Sequence, residues 1–143
     1  MQIRKIGIVG AGQMGTGIAE VCATAGFDVY LTDVVAEKLD AAKQHIARNL
    51  ARLVERRKLG EADADAALAR IQTGLTLDPF AECQLAIEAA TEDEAVKKDI
   101  LKKLCQVLPK DAIITSNTST ISITRLAAQT DRPGRFLGTH FMN

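Results

Sequence analysis

The chain has 143 residues, which suits one domain with a sizeable buried core. Its 18 basic and 18 acidic side chains give a net charge of about zero, which argues against a nucleic-acid-binding surface. No segment approaches the roughly 20 apolar residues that cross a membrane, and the first apolar run begins too close to Met1 to leave room for a signal peptide. Cys22, Cys83 and Cys105 lack zinc or disulfide spacing and favour a reducing cytoplasm.

Short apolar runs typical of buried strands alternate along the chain with helix-period patterns. Strands are predicted at Ile3–Val9, Asp28–Leu31, Ile71–Leu75, Leu85–Glu88, Ala112–Thr115 and Phe136–His140. Helices are predicted at Met14–Ala25, Ala36–Lys58, Ala62–Ala69, Glu94–Val107 and Ser122–Gln129. Nearly continuous apolar strands are expected when a parallel sheet is covered on both faces. The pattern therefore predicts a Rossmann-type, doubly wound α/β fold with a mainly parallel sheet.

A glycine-rich turn lies between the first predicted strand and the first predicted helix. Gly10, Gly12 and Gly15 have G-x-G-x-x-G spacing, and the next apolar run ends in Asp33, 18 residues after Gly15. The first glycine allows the tight turn, the second lets a pyrophosphate approach the backbone, and the third lets the helix pack closely on the sheet. In this context the motif predicts a dinucleotide site.

Asp33 is the candidate determinant of cofactor choice. Its carboxylate would accept hydrogen bonds from the adenosine ribose and repel a 2′-phosphate, so NAD is favoured over NADP. The N-terminus of the predicted helix presents N–H groups to the phosphates, and Gln13 and Met14, which lie there, join the predicted cofactor-binding residues. The alternative is a glycine turn that binds nothing, with Asp33 capping the next helix.

The long helix Ala36–Lys58 and the short helix after it form an unusual excursion between the second and third strands. One face of the long helix is apolar, and the other is basic. The basic residues are Lys38, Lys43, Arg48, Arg52, Arg56, Arg57 and Lys58. This face is either a solvated surface or a positive arm that meets a phosphorylated substrate. Gly60 is expected to end the helix in the left-handed conformation.

Polar residues follow the last two predicted strands. The run 116–120 (SNTST) follows the fifth strand, and His140 and Asn143 follow the sixth. Since ligands of open α/β sheets bind beyond the carboxyl ends of the strands, these residues are expected where a substrate would lie. Alternatively, they are turn, capping and structural residues.

Four stretches, in order, resemble a known family. GAGQMGTGIA, AIEAATEDEAVKK, SNTST and GTHFMN follow one another as in the 3-hydroxyacyl-CoA dehydrogenases, over residues 3–143. The 21-residue separation of Ser119 and His140 is more specific than the glycine motif. The resemblance implies an enzyme that interconverts L-3-hydroxyacyl-CoA and 3-oxoacyl-CoA by hydride transfer to NAD. For the bacterial members that the chain resembles most, the implied substrate is 3-hydroxybutyryl-CoA.

The resemblance also implies roles for individual residues. His140 would be the general base that takes the hydroxyl proton while the nicotinamide accepts the hydride. Ser119 would hydrogen-bond near the nicotinamide and the substrate hydroxyl, and Asn143 would lie at the nicotinamide end. Glu92 and Lys97 would line the cofactor site, although a solvated helix start is the alternative interpretation of their sequence pattern.

The implied CoA contacts are Asn49, which stands where a serine is expected, and Arg56. A helical second domain follows in the family, supplies a Glu partner for the catalytic His, completes the substrate pocket and forms the dimer interface. Because that domain is absent from this chain, we expect residues 1–143 to bind NAD without turnover, and the complete enzyme to be a homo-oligomer. No metal is expected. Two alternatives are a non-catalytic NAD-binding module and a dehydrogenase of a free hydroxy acid.

Overall fold

A parallel sheet of six strands, in the order β3-β2-β1-β4-β5-β6, forms the centre of the molecule. The computed structural model describes residues 2–90, 92–117 and 122–139. The strands are β1 (Lys5–Val9), β2 (Asp28–Thr32), β3 (Ile71–Gly74), β4 (Leu85–Glu88), β5 (Ile113–Asn117) and β6 (Phe136–Thr139). The helices are α1 (Gln13–Thr24), α2 (Ala36–Glu55), α3 (Glu61–Arg70), α4 (Glu94–Val107) and α5 (Ile123–Ala127). Short 3₁₀ turns at Asp78–Glu82 and Pro133–Arg135 precede β4 and β6.

The strand order reverses its direction between β1 and β4. Val9 at the end of β1 is in register with Thr32 on one side and with Glu88 on the other, so three carboxyl ends lie side by side. This is the switch point at which doubly wound sheets bind their ligands. The predicted Rossmann-type fold is confirmed, and the predicted helical excursion between β2 and β3 consists of α2 and α3.

Two apolar clusters cover the faces of the sheet. Ile8 and Leu31 belong to the cluster under α1, α2 and α3, together with Ile46 of α2. The second cluster contains Phe80 and Leu101 and lies under α4 and α5. Because successive strand residues point to opposite faces, a strand covered on both sides needs apolar residues at nearly every position. This arrangement explains why the strands read as short continuous apolar runs.

The end of α2 differs from the prediction. Gly60 does not adopt the left-handed conformation: its φ is −73°, and it is the N-cap residue of α3, so that prediction was wrong. The left-handed residue is Arg57, with φ 58°. The N–H of Lys58 donates to the carbonyl of Leu53 (2.8 Å), and the N–H of Arg57 donates to that of Val54 (3.0 Å). These two bonds form a Schellman motif, which satisfies carbonyls that the last helical turn leaves free.

Within the described parts of the chain, no helix is long and apolar enough to cross a membrane. The three cysteines are free thiols. Burial raises the pKa of the Cys83 thiol to about 11, so this thiol stays protonated at neutral pH and is a poor nucleophile.

Candidate dinucleotide site

The three motif glycines serve different geometric purposes. Gly10 has φ +111°, and its N–H donates to the carbonyl of Thr32 (2.8 Å). A Cβ on Gly15 would overlap the carbonyl oxygen of Gly10, so only glycine lets α1 lie this close to the turn. By contrast, a Cβ on Gly12 would have nothing within 4 Å. The fold therefore does not require a glycine at Gly12, and the open backbone there fits the approach of a pyrophosphate.

Asp33 connects the glycine turn to the loop between β2 and α2. Its Oδ2 accepts a hydrogen bond from the Ala11 N–H (2.8 Å), and its Oδ1 accepts one from the Val35 N–H (2.9 Å). The N-cap residue of α2 is Val35, so Asp33 does not cap that helix as the alternative interpretation required. Each carboxylate oxygen has a second lone pair, which leaves Asp33 able to accept hydrogen bonds from ribose hydroxyls.

A cavity of about 660 Å³ lies between the glycine turn and α4. Asp33, Gln13 and Met14 line it, as do the exposed apolar side chains of Val34 and Leu75. Exposed apolar groups around a few polar ones are typical of small-molecule sites, and the volume lies in their usual range. The cavity, the open backbone and the carboxylate together fit a dinucleotide such as NAD, with its adenosine half beside Asp33.

A buried polar cluster lies at the carboxyl end of β4. The Glu88 carboxylate accepts hydrogen bonds from Lys97 Nζ at both oxygens (2.7 and 2.8 Å), from Ser116 Oγ (2.6 Å) and from the Ala90 N–H (2.8 Å). The side chains of Glu88 and Lys97 have no exposed surface. The Glu92 side chain is 44% exposed, and its Oε1 lies 3.8 Å from Lys97 Nζ.

The cluster changes the interpretation of Lys97. A solvated helix start is excluded for this residue, because its ammonium group is buried against Glu88. The N-cap of α4 is Asp93, whose side chain accepts a hydrogen bond from the Val96 N–H (3.1 Å). Glu88 is not among the site residues that the sequence predicts, and Ser116 enters only as part of the polar run 116–120. An acid at the end of an apolar strand was the available signal, since a buried carboxylate needs a partner.

A second, smaller cavity of about 430 Å³ lies beside the first, between α1 and α2. Lys38, His45 and Arg48 line it, so the basic face of α2 reaches the neighbourhood of the glycine turn. Clustered basic side chains create a positive potential that favours anionic groups.

The two implied CoA contacts, Asn49 and Arg56, have different surroundings in the structure. The Asn49 amide nitrogen donates to Glu20 Oε1 of α1 (3.0 Å) and lies 3.1 Å from His45 Nε2, so it already has partners within the fold. Arg56 is exposed at the C-cap of α2. The implied catalytic residues Ser119, His140 and Asn143 lie outside the described residues.

The doubly wound sheet, the glycine turn and the acid at the end of β2 define a dinucleotide-binding domain. Residues 5–143 match the family model described as "3-hydroxyacyl-CoA dehydrogenase, NAD binding domain". The chain belongs to this family, whose cofactor is NAD.

Relatives support the same family assignment. The 3-hydroxybutyryl-CoA dehydrogenase of Bradyrhizobium diazoefficiens is 54% identical over 141 residues, which are 99% of this chain and 48% of that protein. The crystal structure of the (S)-3-hydroxybutyryl-CoA dehydrogenase of Ralstonia eutropha superposes with a TM-score of 0.96 at 45% identity, covering 99% of this chain and 50% of that one. The Escherichia coli 3-hydroxybutyryl-CoA dehydrogenase structure gives 0.97 at 38% identity, over 100% of this chain and 30% of that one. The chain thus spans about half the length of the first two proteins and less than a third of the length of the third.

Proposed function

We propose that the chain is the cofactor-binding half of an NAD-dependent oxidoreductase that interconverts L-3-hydroxyacyl-CoA and 3-oxoacyl-CoA. The first substrate to test is 3-hydroxybutyryl-CoA. The observation that carries the proposal is the glycine turn joined to Asp33 through the Ala11 N–H (2.8 Å), in a chain of this family. That bond holds the carboxylate next to the open backbone at Gly12, where one dinucleotide can contact both.

When bound, NAD supplies the hydride acceptor, and the protein supplies binding and orientation. In this proposal Gly10, Gly12 and Gly15 shape the turn, and Gln13 and Met14 form the cavity wall beside it.

The remaining site residues of the proposal come from the family resemblance. Glu92 and Lys97 contribute to the nicotinamide end of the site, together with Asn143. Ser119 hydrogen-bonds the substrate hydroxyl, and His140 accepts its proton. A neutral imidazole can do this because its ordinary pKa lies near 6.5.

We further propose that the basic face of α2 meets the phosphates of an acyl-CoA. Arg56 is exposed at the end of α2, and Lys38 and Arg48 line the cavity beside the glycine turn. In the longer protein that includes a second domain, Arg56→Glu should raise KM for acyl-CoA about tenfold, since a charge-assisted contact becomes repulsive. KM for NAD should not change. An unaltered KM for acyl-CoA would make this face a solvated surface.

The supporting domain, the assembly and the compartment are part of the same proposal. The family resemblance implies a helical second domain that completes the substrate pocket and forms a homo-oligomer interface. The chain spans about half the length of the relatives it matches, which leaves room for such a domain. Free thiols at Cys22, Cys83 and Cys105 suit a reducing cytoplasm. Light scattering of the longer protein tests the homo-oligomer, and a monomer would contradict it. Cell fractionation tests the compartment, and a secreted protein would contradict it.

The experiment that tests the proposed function uses the 143-residue chain itself. Calorimetry should show NADH binding, because in this proposal the glycine turn and Asp33 hold the adenosine half of the dinucleotide. An assay of 3-hydroxybutyryl-CoA oxidation, followed by NADH absorbance, should show no turnover, because water exclusion and substrate positioning, which supply many kcal/mol of a barrier, need the second domain. Absence of NADH binding would contradict the cofactor assignment. Turnover at ordinary enzyme rates, roughly 1–1000 per second, would contradict the division of roles between the two halves.

A further inference from the structure

The buried cluster at the carboxyl end of β4 joins four separate parts of the chain. Glu88 ends β4, Lys97 belongs to the first half of α4, Ser116 is on β5, and Ala90 is in the loop that follows β4. All of them are connected through one carboxylate, at distances of 2.6–2.8 Å. These charge-assisted bonds are short and directional.

Stability alone does not account for this cluster. Taking a carboxylate and an ammonium group out of water is costly, and well-packed apolar side chains of similar volume are often as stable or more stable. The surroundings are apolar enough to accept such a replacement, since Ala86 and Ile87 of β4 are buried as well. A polar cluster at this position therefore points to a role in orientation.

Its position in the sheet indicates what it orients. A doubly wound sheet holds the two halves of a dinucleotide on either side of the switch point. Asp33 marks the adenosine side, at the end of β2, whereas β4 and β5 lie on the other side of β1. Ala89 and Ala90, which follow Glu88 directly, line the cavity beside Gly10.

We propose that Glu88 is a positioning residue for the nicotinamide half of the dinucleotide, an inference that rests on the proposed function. Through the Ala90 N–H it sets the loop after β4. Through Lys97, whose Nζ lies 3.8 Å from Glu92 Oε1, it holds the Glu92 carboxylate at the rim of the site. Ser116 provides the third bond, which keeps the end of β5 at a set distance from β4.

The test compares two ligands that share the adenosine half. NADH and ADP are titrated by calorimetry into the 143-residue chain and into Glu88→Gln and Ser116→Ala, and each protein is also melted. We expect NADH affinity to fall about tenfold in Glu88→Gln and about threefold in Ser116→Ala, as expected for one charged or one weaker hydrogen bond. ADP affinity should stay within about twofold of the parent, since only the nicotinamide half loses its support.

Two further variants separate positioning from folding. Lys98→Met removes an ion pair with Glu94 from the same helix (3.0 Å) and should leave both affinities unchanged. Glu88→Leu combined with Lys97→Met removes both buried charges, so it should fold and bind ADP even if Glu88→Gln does not fold. NADH affinity of this double variant should stay low.

The outcomes are distinct. Parallel loss of NADH and ADP binding in a folded variant, or NADH binding by the double variant equal to the parent's, would overturn the positioning role. If the unmodified chain binds neither ligand, the proposed function fails and this inference fails with it. If it binds both and Ser116→Ala and Glu88→Gln bind NADH normally, only the inference fails.

Discussion

At the scale of single residues, the glycines of the turn meet two different requirements, one from the fold and one from the proposed ligand. The sequence motif alone does not show which glycine meets which. Gly10 and Gly15 are needed by the fold, because a side chain at either would meet backbone atoms. Gly12 has open space around it, so the fold does not require a glycine there, and in the proposed function the requirement comes from the ligand. A substitution at Gly12 should therefore affect binding without affecting folding.

We predict that Gly12→Val folds with an unchanged melting temperature and loses NADH affinity by at least about tenfold, because a branched side chain occupies the space that a pyrophosphate needs. Gly17, which lies further along α1, offers a matched control, since a Cβ there would also have nothing within 4 Å. Gly17→Val should fold and bind NADH like the parent. Calorimetry that finds undiminished binding by Gly12→Val would mean that the dinucleotide is held elsewhere.

Asp33 acts on both the protein and the predicted ligand. It accepts N–H bonds from Ala11 and Val35, and its charge would repel a 2′-phosphate. We predict that the parent chain binds NADH at least about tenfold more tightly than NADPH, and that Asp33→Asn loses most of this preference while keeping one carbonyl acceptor. Asp33→Ala should lose the preference and also some stability. Equal or tighter NADPH binding by the parent, measured by calorimetry, would contradict the assignment of Asp33.

At the scale of secondary-structure elements, α1 and α2 both end in a Schellman motif, but a different type of residue takes the left-handed position in each. Gly26 takes the left-handed position after α1, with φ +104°, and Arg57 takes it after α2, with φ 58°. A left-handed conformation costs a residue with a side chain about 1–2 kcal/mol. The end of α2 is therefore a site where the sequence is not optimal for stability.

We predict that Arg57→Gly raises the free energy of unfolding by about 1 kcal/mol, or the melting temperature by about 4 °C. Arg56→Gly removes the same charge at a position with negative φ (−84°) and should instead lower stability by about 0.5–1 kcal/mol, because glycine has more freedom to lose. Thermal melts of the two variants test this, and a lower melting temperature for Arg57→Gly would show that the Arg57 side chain makes a stabilising contact larger than its backbone cost.

Elements with a strong apolar period were predictable, and their ends were less so. The bounds of β4 and α4 are those predicted, because apolar residues fill the period of each and Asp93 caps the helix. The predicted left-handed Gly60 was wrong because packing decided the end of α2. Leu59 is half-buried against the core, so the chain turns before Gly60 is reached.

At the scale of the whole molecule, the fold and the proposed adenosine side of the site followed from local patterns. A glycine turn and an acid at a strand end can be recognised from a single segment of about 30 residues. The buried cluster could not be predicted in this way. Glu88 and Ser116 lie 28 residues apart and meet only because β4 and β5 are neighbours in the sheet. Sites that depend on such pairing need the strand order before the residues can be brought together.

The central position of β1 has a consequence for biosynthesis. Its first partner, β2, follows closely along the chain, but Ile6 pairs with Leu85 on the other side, 79 residues later. While the ribosome is still making α2 and α3, one edge of β1 has no hydrogen-bond partner, and such an edge recruits strands from other chains. Nascent chains that stall before β4 is complete should therefore be strong chaperone clients, whereas chains released after β4 have closed that edge themselves.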